Sequence, residues 1–248
     1  MNQARDTMPA VTYRENPPRL ELRDRVACVW AGTASGRATG VLPDGCVDIV
    51  WAPGLEPFVA GPDTVARPSG FARGTMLAGI RFMPGATGPI LGAPISSLLD
   101  MCVRLGDLWP RRPARDLRSR LDYARGPAQA LRTIEHAVLA RCADAPEPDE
   151  VVAAIVASIL RSVAGGRPGD VPCFGISARQ LRRRFIAAVG YGPKMFQRVA
   201  RFHHFLKLGA ATRGFAALAA EAGYADQSHL NRECMSLAGC TPRQLGSV

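Results

Sequence analysis

The stretch GFAALAAEAGYADQSHLNRECMSLAGCTP, from Gly214 to Pro242, predicts two short helices that meet at a glycine. In the first, Phe215 to Ala222, apolar residues recur at helical spacing and most are small enough for close helix packing. Gly223 tolerates the left-handed backbone that ends a helix, and Asp226 has the side chain to cap the next one. The stretch therefore predicts a pair of helices with a tight turn between them.

The second helix of this pair has an apolar side and a side made of hydrogen-bonding groups. Leu230, Cys234 and Leu237 fall on the apolar side. Glutamine and asparagine can bind an adenine edge, arginine a guanine edge and serine either, so the polar side suits a DNA major groove. A merely solvated face is the alternative for one isolated helix. The polar side carries Gln227, Ser228, Asn231 and Arg232.

An upstream stretch, Gly175 to Lys194, repeats this plan with more positive charge. Ser177 is predicted to cap a helix whose inner side holds Leu181, Phe185 and Val189. Pro193 suits the first turn of a connecting helix that runs on to Leu208. The outward residues of the capped helix are Arg179, Arg182 and Arg183.

Positive charge is concentrated in the C-terminal part of the chain. The formal net charge of the 248 residues is +10, of which +1 falls on residues 1–150 and +9 on residues 151–248. Charge confined to one segment indicates a polyanionic partner, most commonly nucleic acid, with an anionic membrane as the alternative. The absence of an apolar run of about 18 residues and of a secretory leader predicts a cytoplasmic protein without a membrane segment.

Residues 20–89 carry short apolar runs separated by glycine and proline, which predicts an antiparallel sheet or small barrel. Residues 1–18 show no periodicity and are interpreted as a loosely held lead-in. Pro43-Asp44-Gly45 predicts a hairpin turn. Asp48 and Arg81 fall within strand-like runs, where they lie on a solvated face, pair with each other, or bind an effector. The runs are 26–31, 40–42, 46–51, 57–60 and 76–82.

Helical spacing replaces the strand pattern between Ile95 and Arg141. One helix is expected around Leu98 to Leu105, a second at Leu117 and Leu121, and a third from Pro127. Their apolar stripes either pack on the sheet or pair with a second copy of the chain. The acidic, proline-bearing residues 143–150 predict a linker, which divides a sensor or dimerisation domain (1–142) from a DNA-binding domain (151–248).

Cysteine and histidine usage argues against metal or nucleophilic chemistry in the N-terminal domain. The seven cysteines form no Cys-x-x-Cys pair, and most are interpreted as small buried apolar residues. His136 is the only histidine in the first 150 residues, so no histidine cluster can hold a catalytic metal there. His203 and His204 are interpreted as packing or surface residues. No catalytic residue, metal or cofactor is therefore expected.

Together these motifs resemble the AraC/XylS family of bacterial transcription regulators, whose DNA-binding domain has two helix-turn-helix units joined by a long helix. The resemblance is carried by SARQLRRRF from Ser177, by Gly190 to Lys194 and by GYADQSHLNR from Gly223. LPDGCVD from Leu42 and GIRFMPG from Gly79 resemble an uncharacterised N-terminal domain found on a subset of these regulators. The resemblance implies an α+β protein with a barrel-like antiparallel N-terminal domain, trailing helices and an all-α C-terminal domain.

The resemblance also implies roles for individual residues. Base reading falls to the outward residues of the two capped helices, and phosphate contacts to Ser177, Lys194, Arg198 and Arg201. The N-terminal resemblance implies no known ligand, so the effector candidates, Asp48 and Arg81, come from the strand pattern alone. The partners implied are double-stranded promoter or operator DNA, with a small-molecule effector, RNA polymerase and a homodimer as further candidates. Such a regulator associates with the nucleoid when it is bound to DNA.

One segment departs from the family pattern. Arg167 to Phe174 holds two prolines and a glycine where the helix that supports the first recognition helix belongs. Two other functions also remain open: an alkyl-transfer repair enzyme carrying this kind of DNA-binding domain, and an architectural protein that binds DNA without sequence preference. The leading interpretation is a non-enzymatic, sequence-specific regulator.

Overall fold

The computed structural model describes residues 13–34, 40–165, 175–209 and 214–245. The predicted α+β class is confirmed, with an antiparallel sheet and helices in the N-terminal part and, from Glu150 onward, only helices among the described residues. The strands are β1 (Arg14–Asn16), β2 (Val26–Thr33), β3 (Val47–Trp51), β4 (Phe58–Ala60), β5 (Met76–Phe82) and β6 (Cys102–Arg104). The helices are α1 (Gly88–Leu91), α2 (Arg111–Asp122), α3 (Pro127–Asp144), α4 (Glu150–Ala164), α5 (Ala178–Val189), α6 (Pro193–Leu208), α7 (Phe215–Glu221), α8 (Gln227–Ala238) and α9 (Pro242–Leu245).

The six strands form one antiparallel sheet in the order β1-β2-β5-β3-β4-β6, so β1 and β6 are its edges. Because side chains alternate along a strand, the sheet has two distinct faces. One face, with Val29, Ile49 and Ile80, joins α2 and α3 in the larger N-terminal core. The other face carries a small apolar cluster around Trp30 and Val50.

The C-terminal helices share a separate core. It contains the apolar faces of α4, α5, α6, α7 and α8, with Phe185, Phe196 and Phe202 almost completely buried. Phe185 meets Phe196 edge to face with ring centroids 5.9 Å apart. Arg184 donates from Nε and Nη2 to Asp149, each at 2.6 Å, and Asp149 also caps α4. The first residues of α4 are thereby tied to α5.

The predicted elements with strong local patterns are confirmed. The helices predicted from Leu117, from Pro127, from Phe215 and through Leu208 all form, as do four of the five strand-like runs. The run 40–42 forms a single bridge between Val41 and Arg67 instead of a strand. The segment 167–174, where the family pattern has its supporting helix, lies outside the described residues. Among those residues, no helix is both long and apolar enough to cross a membrane.

The helix expected between Leu98 and Leu105 is wrong. A 3-10 turn covers only Ile95–Leu98, Asp100 follows it with a positive φ of 56°, and Cys102–Arg104 then pairs with β4 as an edge strand. The Asp100 carboxylate accepts hydrogen bonds from the Thr64 amide at 2.6 Å and from its hydroxyl. Pairing with distant residues therefore overrides the local helical spacing.

The hairpin expected at Pro43-Asp44-Gly45 is also wrong, although the turn forms. The Cys46 amide donates to Asp44 Oδ1 at 2.8 Å, and Gly45 has a φ of 79°. The strands on either side, β2 and β3, both pair with β5, which lies between them in the sheet. The interpretation of residues 1–18 as a loosely held lead-in is wrong in part, because residues 14–16 form β1. Residues 1–12 lie outside the described part of the chain.

Candidate nucleic-acid interface

Helix α5 begins with a capping box and buries one side. Ser177 Oγ accepts a hydrogen bond from the Gln180 amide at 3.2 Å, and Gln180 Oε1 accepts one from the Ser177 amide at 3.1 Å. These bonds satisfy backbone donors that a helix start leaves free. Phe185 and Val189 are buried beneath the helix, and Leu181 is half-buried against the same core. The predicted cap and inner face are confirmed.

Helix α8 has the same construction. Asp226 Oδ1 accepts the His229 amide at 2.6 Å, which confirms the predicted cap. Gly223 ends the preceding turn with a φ of 79°, and Gly239 ends α8 with a φ of 68°. The inner side of α8 is buried against the C-terminal core through Leu230, Cys234 and Leu237.

The outer faces of both helices are open to solvent. Every residue assigned to base reading is exposed, and no hydrogen bond from these side chains to the described part of the protein competes with DNA. The exposed set is Arg179, Arg182, Arg183, Gln227, Ser228, Asn231 and Arg232. Such a face can donate to phosphates and read base edges without rearrangement of the helix.

Helix α6 holds α8 through cationic side chains. Arg198 Nε donates to both carboxylate oxygens of Glu233 at 3.1 Å, and Arg198 Nη2 donates to Ser236 at 3.2 Å. Arg201 lies over the ring of Tyr224, 5.5 Å from its centroid. Of the residues expected at phosphates, Lys194 is exposed, whereas Arg198 and Arg201 are engaged within the protein. Their pairing depends on tertiary structure, which explains why sequence reasoning missed it.

Comparison with known families matches two segments of the chain. Residues 173–247 match the family described as a helix-turn-helix domain, and residues 14–104 match a domain of unknown function, DUF6597. The first match covers both capped helices and the helix that joins them. The C-terminal domain is an AraC-type helix-turn-helix domain. The AraC-type domain makes this chain a DNA-binding transcription regulator.

Solved structures with a similar fold include ToxT from Vibrio cholerae. A crystal structure of apo ToxT from strain SCE256 has 7% sequence identity and a TM-score of 0.40, covering 94% of this chain and 95% of that one. ToxT from strain O395 has 9% identity and a TM-score of 0.40, over 94% and 96% of the two chains. No curated protein sequence matches. At these TM-scores the likeness carries no argument about function.

The cap of α8 gives a first testable prediction. Asp226→Ala removes the acceptor for the His229 amide and is expected to lower the free energy of unfolding of the AraC-type domain by about 1 kcal/mol. Asp226→Asn is the matched control, because asparagine caps as well as aspartate does. Chemical denaturation measures both variants. Equal stability of the alanine and asparagine variants would contradict the assigned cap.

The N-terminal domain touches both helix-turn-helix units of the AraC-type domain. At the end of α5, Gly190 packs so tightly on Pro62 and Ile95 that an added Cβ would lie 2.6 Å from the proline ring. At the end of α8, the Leu237 carbonyl accepts a hydrogen bond from the Ala66 amide at 2.7 Å. One N-terminal segment, residues 62–66, therefore meets both units.

Asp48 and Arg81 lie opposite each other on β3 and β5 and are paired. Arg81 Nε donates to Asp48 Oδ1 and Arg81 Nη2 to Asp48 Oδ2, both at 3.1 Å, and the Trp30 indole donates to Asp48 Oδ2 at 3.0 Å. Arg81 also pairs with Asp44 at 3.2 Å and with Glu15 at 3.1 Å. Burial raises the pKa of Asp48 to about 6, although Arg81 opposes the shift. Of the alternatives for Asp48 and Arg81, the structure therefore shows the pair that the two residues form with each other.

The described cysteines are less uniformly buried than expected. Cys28 and Cys234 are buried, Cys46, Cys142 and Cys240 are half-buried, and Cys102 is exposed. Burial raises the pKa of Cys28 to about 11 and that of Cys234 to about 12, which keeps both thiols protonated and weakly nucleophilic. Within the described ranges, no cluster of three or more histidine, cysteine or acidic residues is arranged to hold a metal.

Proposed function

We propose that the AraC-type domain reads a specific DNA sequence by inserting α5 and α8 into successive major grooves, about 34 Å apart on one face of the duplex. The observation that carries this proposal is the pair of capped helices with buried backs and exposed polar outer faces. The concentration of positive charge in residues 151–248 supports it, since phosphate neutralisation dominates DNA affinity. In this arrangement the exposed arginine, glutamine, serine and asparagine side chains face base edges.

Phosphate contacts in this proposal come from the start of α5 at Ser177 and from Lys194 at the start of α6. Both lie beside a helix N-terminus, where free backbone amides favour an anion. Arg198 and Arg201 are better placed to position α8, because their guanidinium groups contact Glu233 and Tyr224. Any phosphate contact they make comes in addition to that role.

We further propose that the N-terminal domain regulates DNA binding through an effector. Its support is the segment 62–66, which meets both helix-turn-helix units. Asp48 and Arg81 form one wall of a cavity in this domain. Most of their hydrogen-bonding groups are already bonded within the protein, two of these bonds joining the pair itself. A change in this domain can therefore alter how the two recognition helices are presented.

Removing one base-reading arginine gives a second prediction. Arg183→Ala or Arg232→Ala is expected to weaken binding to the cognate site by about 1–3 kcal/mol and to relax base preference there. Lys194→Ala is expected to weaken binding to all DNA sequences about equally, because a phosphate contact carries no sequence information. Arg115→Ala, on the exposed side of α2, is the matched control for a lost charge. Titration of each variant against cognate and random duplexes measures these effects.

Selection of bound fragments from random DNA tests sequence reading directly. The proposal expects an enriched motif with two parts, one for each recognition helix. An architectural DNA binder would share the salt dependence but enrich no motif, so competition between sequences separates the two functions. Failure of the native protein to discriminate among sequences would overturn the proposal.

A further inference from the structure

The second face of the sheet lines an apolar cavity of about 580 Å³ in the N-terminal domain. Trp30, Val50, Phe58 and Leu77 point to this face, whereas the opposite face is covered by helices. The cavity has the volume typical of small-molecule sites, and apolar walls with few polar groups are characteristic of such sites. The fold thus leaves one sheet face available to a ligand.

Aromatic rings give the cavity a shape suited to a flat molecule. Tyr13 and Trp30 lie with ring centroids 5.8 Å apart, and Phe58 and Phe71 stack at 6.1 Å. Gly79 leaves room for the indole, because an added Cβ would lie 2.5 Å from Trp30. Four aromatic side chains in one cavity favour a planar apolar body through offset or edge-to-face contacts.

The charged side chains of the cavity differ in how many of their hydrogen-bonding groups remain free for a ligand. Asp48 and Arg81 bond each other, and Arg81 also bonds Glu15 and Asp44. Arg67 bonds Asp63 through Nε, at 2.8 Å to each oxygen, its side chain also interacts with the Cys102 thiol, and its terminal nitrogens make no hydrogen bond to a carboxylate in the described part of the chain. A guanidinium edge of this kind binds a carboxylate with two parallel hydrogen bonds.

Arg67 also adjoins the contact with α8. Its backbone pairs with Val41 in both directions, at 2.8 and 3.1 Å, and the preceding Ala66 amide donates to the Leu237 carbonyl of α8. Arg67 lines both the cavity and a second cleft that Gly239 and Leu245 share from the AraC-type domain. A ligand that holds the Arg67 side chain therefore acts one residue away from the hydrogen bond to a recognition helix.

We propose that this cavity binds a small aromatic carboxylate, with its ring among Trp30, Phe58 and Phe71 and its carboxylate on the terminal nitrogens of Arg67. We infer that the bound ligand alters the end of α8 through Ala66. The binding site stands independently of the proposed regulatory function, whereas its effect on DNA affinity rests on that function.

Calorimetric titration of the full chain with two probes that share one ring system and carry opposite charges tests the binding site. 2-Naphthoate is expected to bind about tenfold more tightly than 2-naphthylmethylammonium. Arg67→Gln is expected to abolish this preference. Because Arg67→Gln leaves buried Asp63 unpaired, the double variant Arg67→Gln with Asp63→Asn is measured as well. The matched control is Arg104→Gln with Asp107→Asn, an ion pair that does not line the cavity.

Three results would overturn the binding site: no binding of either probe in titrations at two temperatures, equal affinity for both probes, or a carboxylate preference that survives in the double variant. A melting temperature close to that of the native protein shows that the double variant is folded. The comparison therefore decides the site even where the single variant fails to fold.

Hydrogen exchange on the native protein tests, without DNA, whether the bound ligand alters the end of α8. Saturating 2-naphthoate is expected to change the exchange rate of the peptide spanning residues 235–241 by about threefold. Ala66→Pro, which removes the amide donor, is expected to suppress this change. If the exchange rate of this peptide in the native protein does not change when the probe binds, the proposed effect on α8 is refuted, whereas the binding site is not. If the native protein shows no sequence preference in the DNA-binding experiments, the proposed function is refuted. The hydrogen-exchange result does not depend on that outcome.

Discussion

Phe185→Ala is expected to lower the free energy of unfolding of the AraC-type domain by about 3–5 kcal/mol. The Phe185 ring is fully buried between α4, α5 and α6 and packs edge to face on Phe196. Alanine loses the apolar contacts of the ring and leaves a cavity that rigid helices cannot close. Urea denaturation followed by far-UV circular dichroism, which reports the helices, measures the change.

Two controls define what this result means. Phe185→Leu keeps most of the apolar volume and is expected to cost less than half as much. Arg183→Ala, on the exposed side of the same helix, is expected to change stability by no more than about 0.5 kcal/mol. A cost below about 1 kcal/mol for Phe185→Ala would contradict the inner face assigned to α5.

Arg81→Met is expected to cost about 3–5 kcal/mol at pH 8, because it leaves the buried Asp48 carboxylate without its counterion. Asp44 and Glu15 lose the same partner, so repulsion among three carboxylates adds to the cost. The double variant Arg81→Met with Asp48→Asn is expected to recover a large part of the lost stability. A single variant as stable as the native protein at pH 8 would refute the assigned network.

The pH dependence of the same variant follows from the raised pKa of Asp48. A carboxyl group whose folded pKa lies above its unfolded value contributes stability below the unfolded pKa, and this contribution is lost as pH rises through the folded pKa. Burial already raises the pKa of Asp48 to about 6 with Arg81 in place, and removal of that cation raises it further. The deficit of Arg81→Met is therefore expected to shrink on acidification from pH 8 to pH 5, whereas the deficit of the double variant, which lacks the Asp48 carboxyl group, is expected not to shrink.

Local chemistry made the recognition helices predictable from sequence. Ser177 and Asp226 are caps, Gly223 has a positive φ, and the buried side of α8 follows from helical spacing. The exposure of the base-reading side chains follows from the same spacing, although their contacts with DNA stay a prediction. Each of these features depends on residues within one or two helical turns, which a sequence displays directly.

The features that sequence reasoning missed depend on distant partners. Cys102–Arg104 became an edge strand because β4 offers it hydrogen bonds, and the turn at Asp44 joins strands separated by β5. The bond between Ala66 and Leu237 joins residues far apart in the chain. Arg67 stood out neither by motif nor by spacing; only the folded sheet brings it beside the aromatic cavity.

The fit between residues 62–66 and the ends of α5 and α8 limits modular exchange between regulators of this architecture. A chimera joined within residues 143–150 would bring a foreign surface against Gly190, where space for even a methyl group is absent. It would also leave the Leu237 carbonyl without the donor it has here. Grafting a new sensory domain onto this DNA-binding domain therefore requires transplanting residues 62–66 along with it.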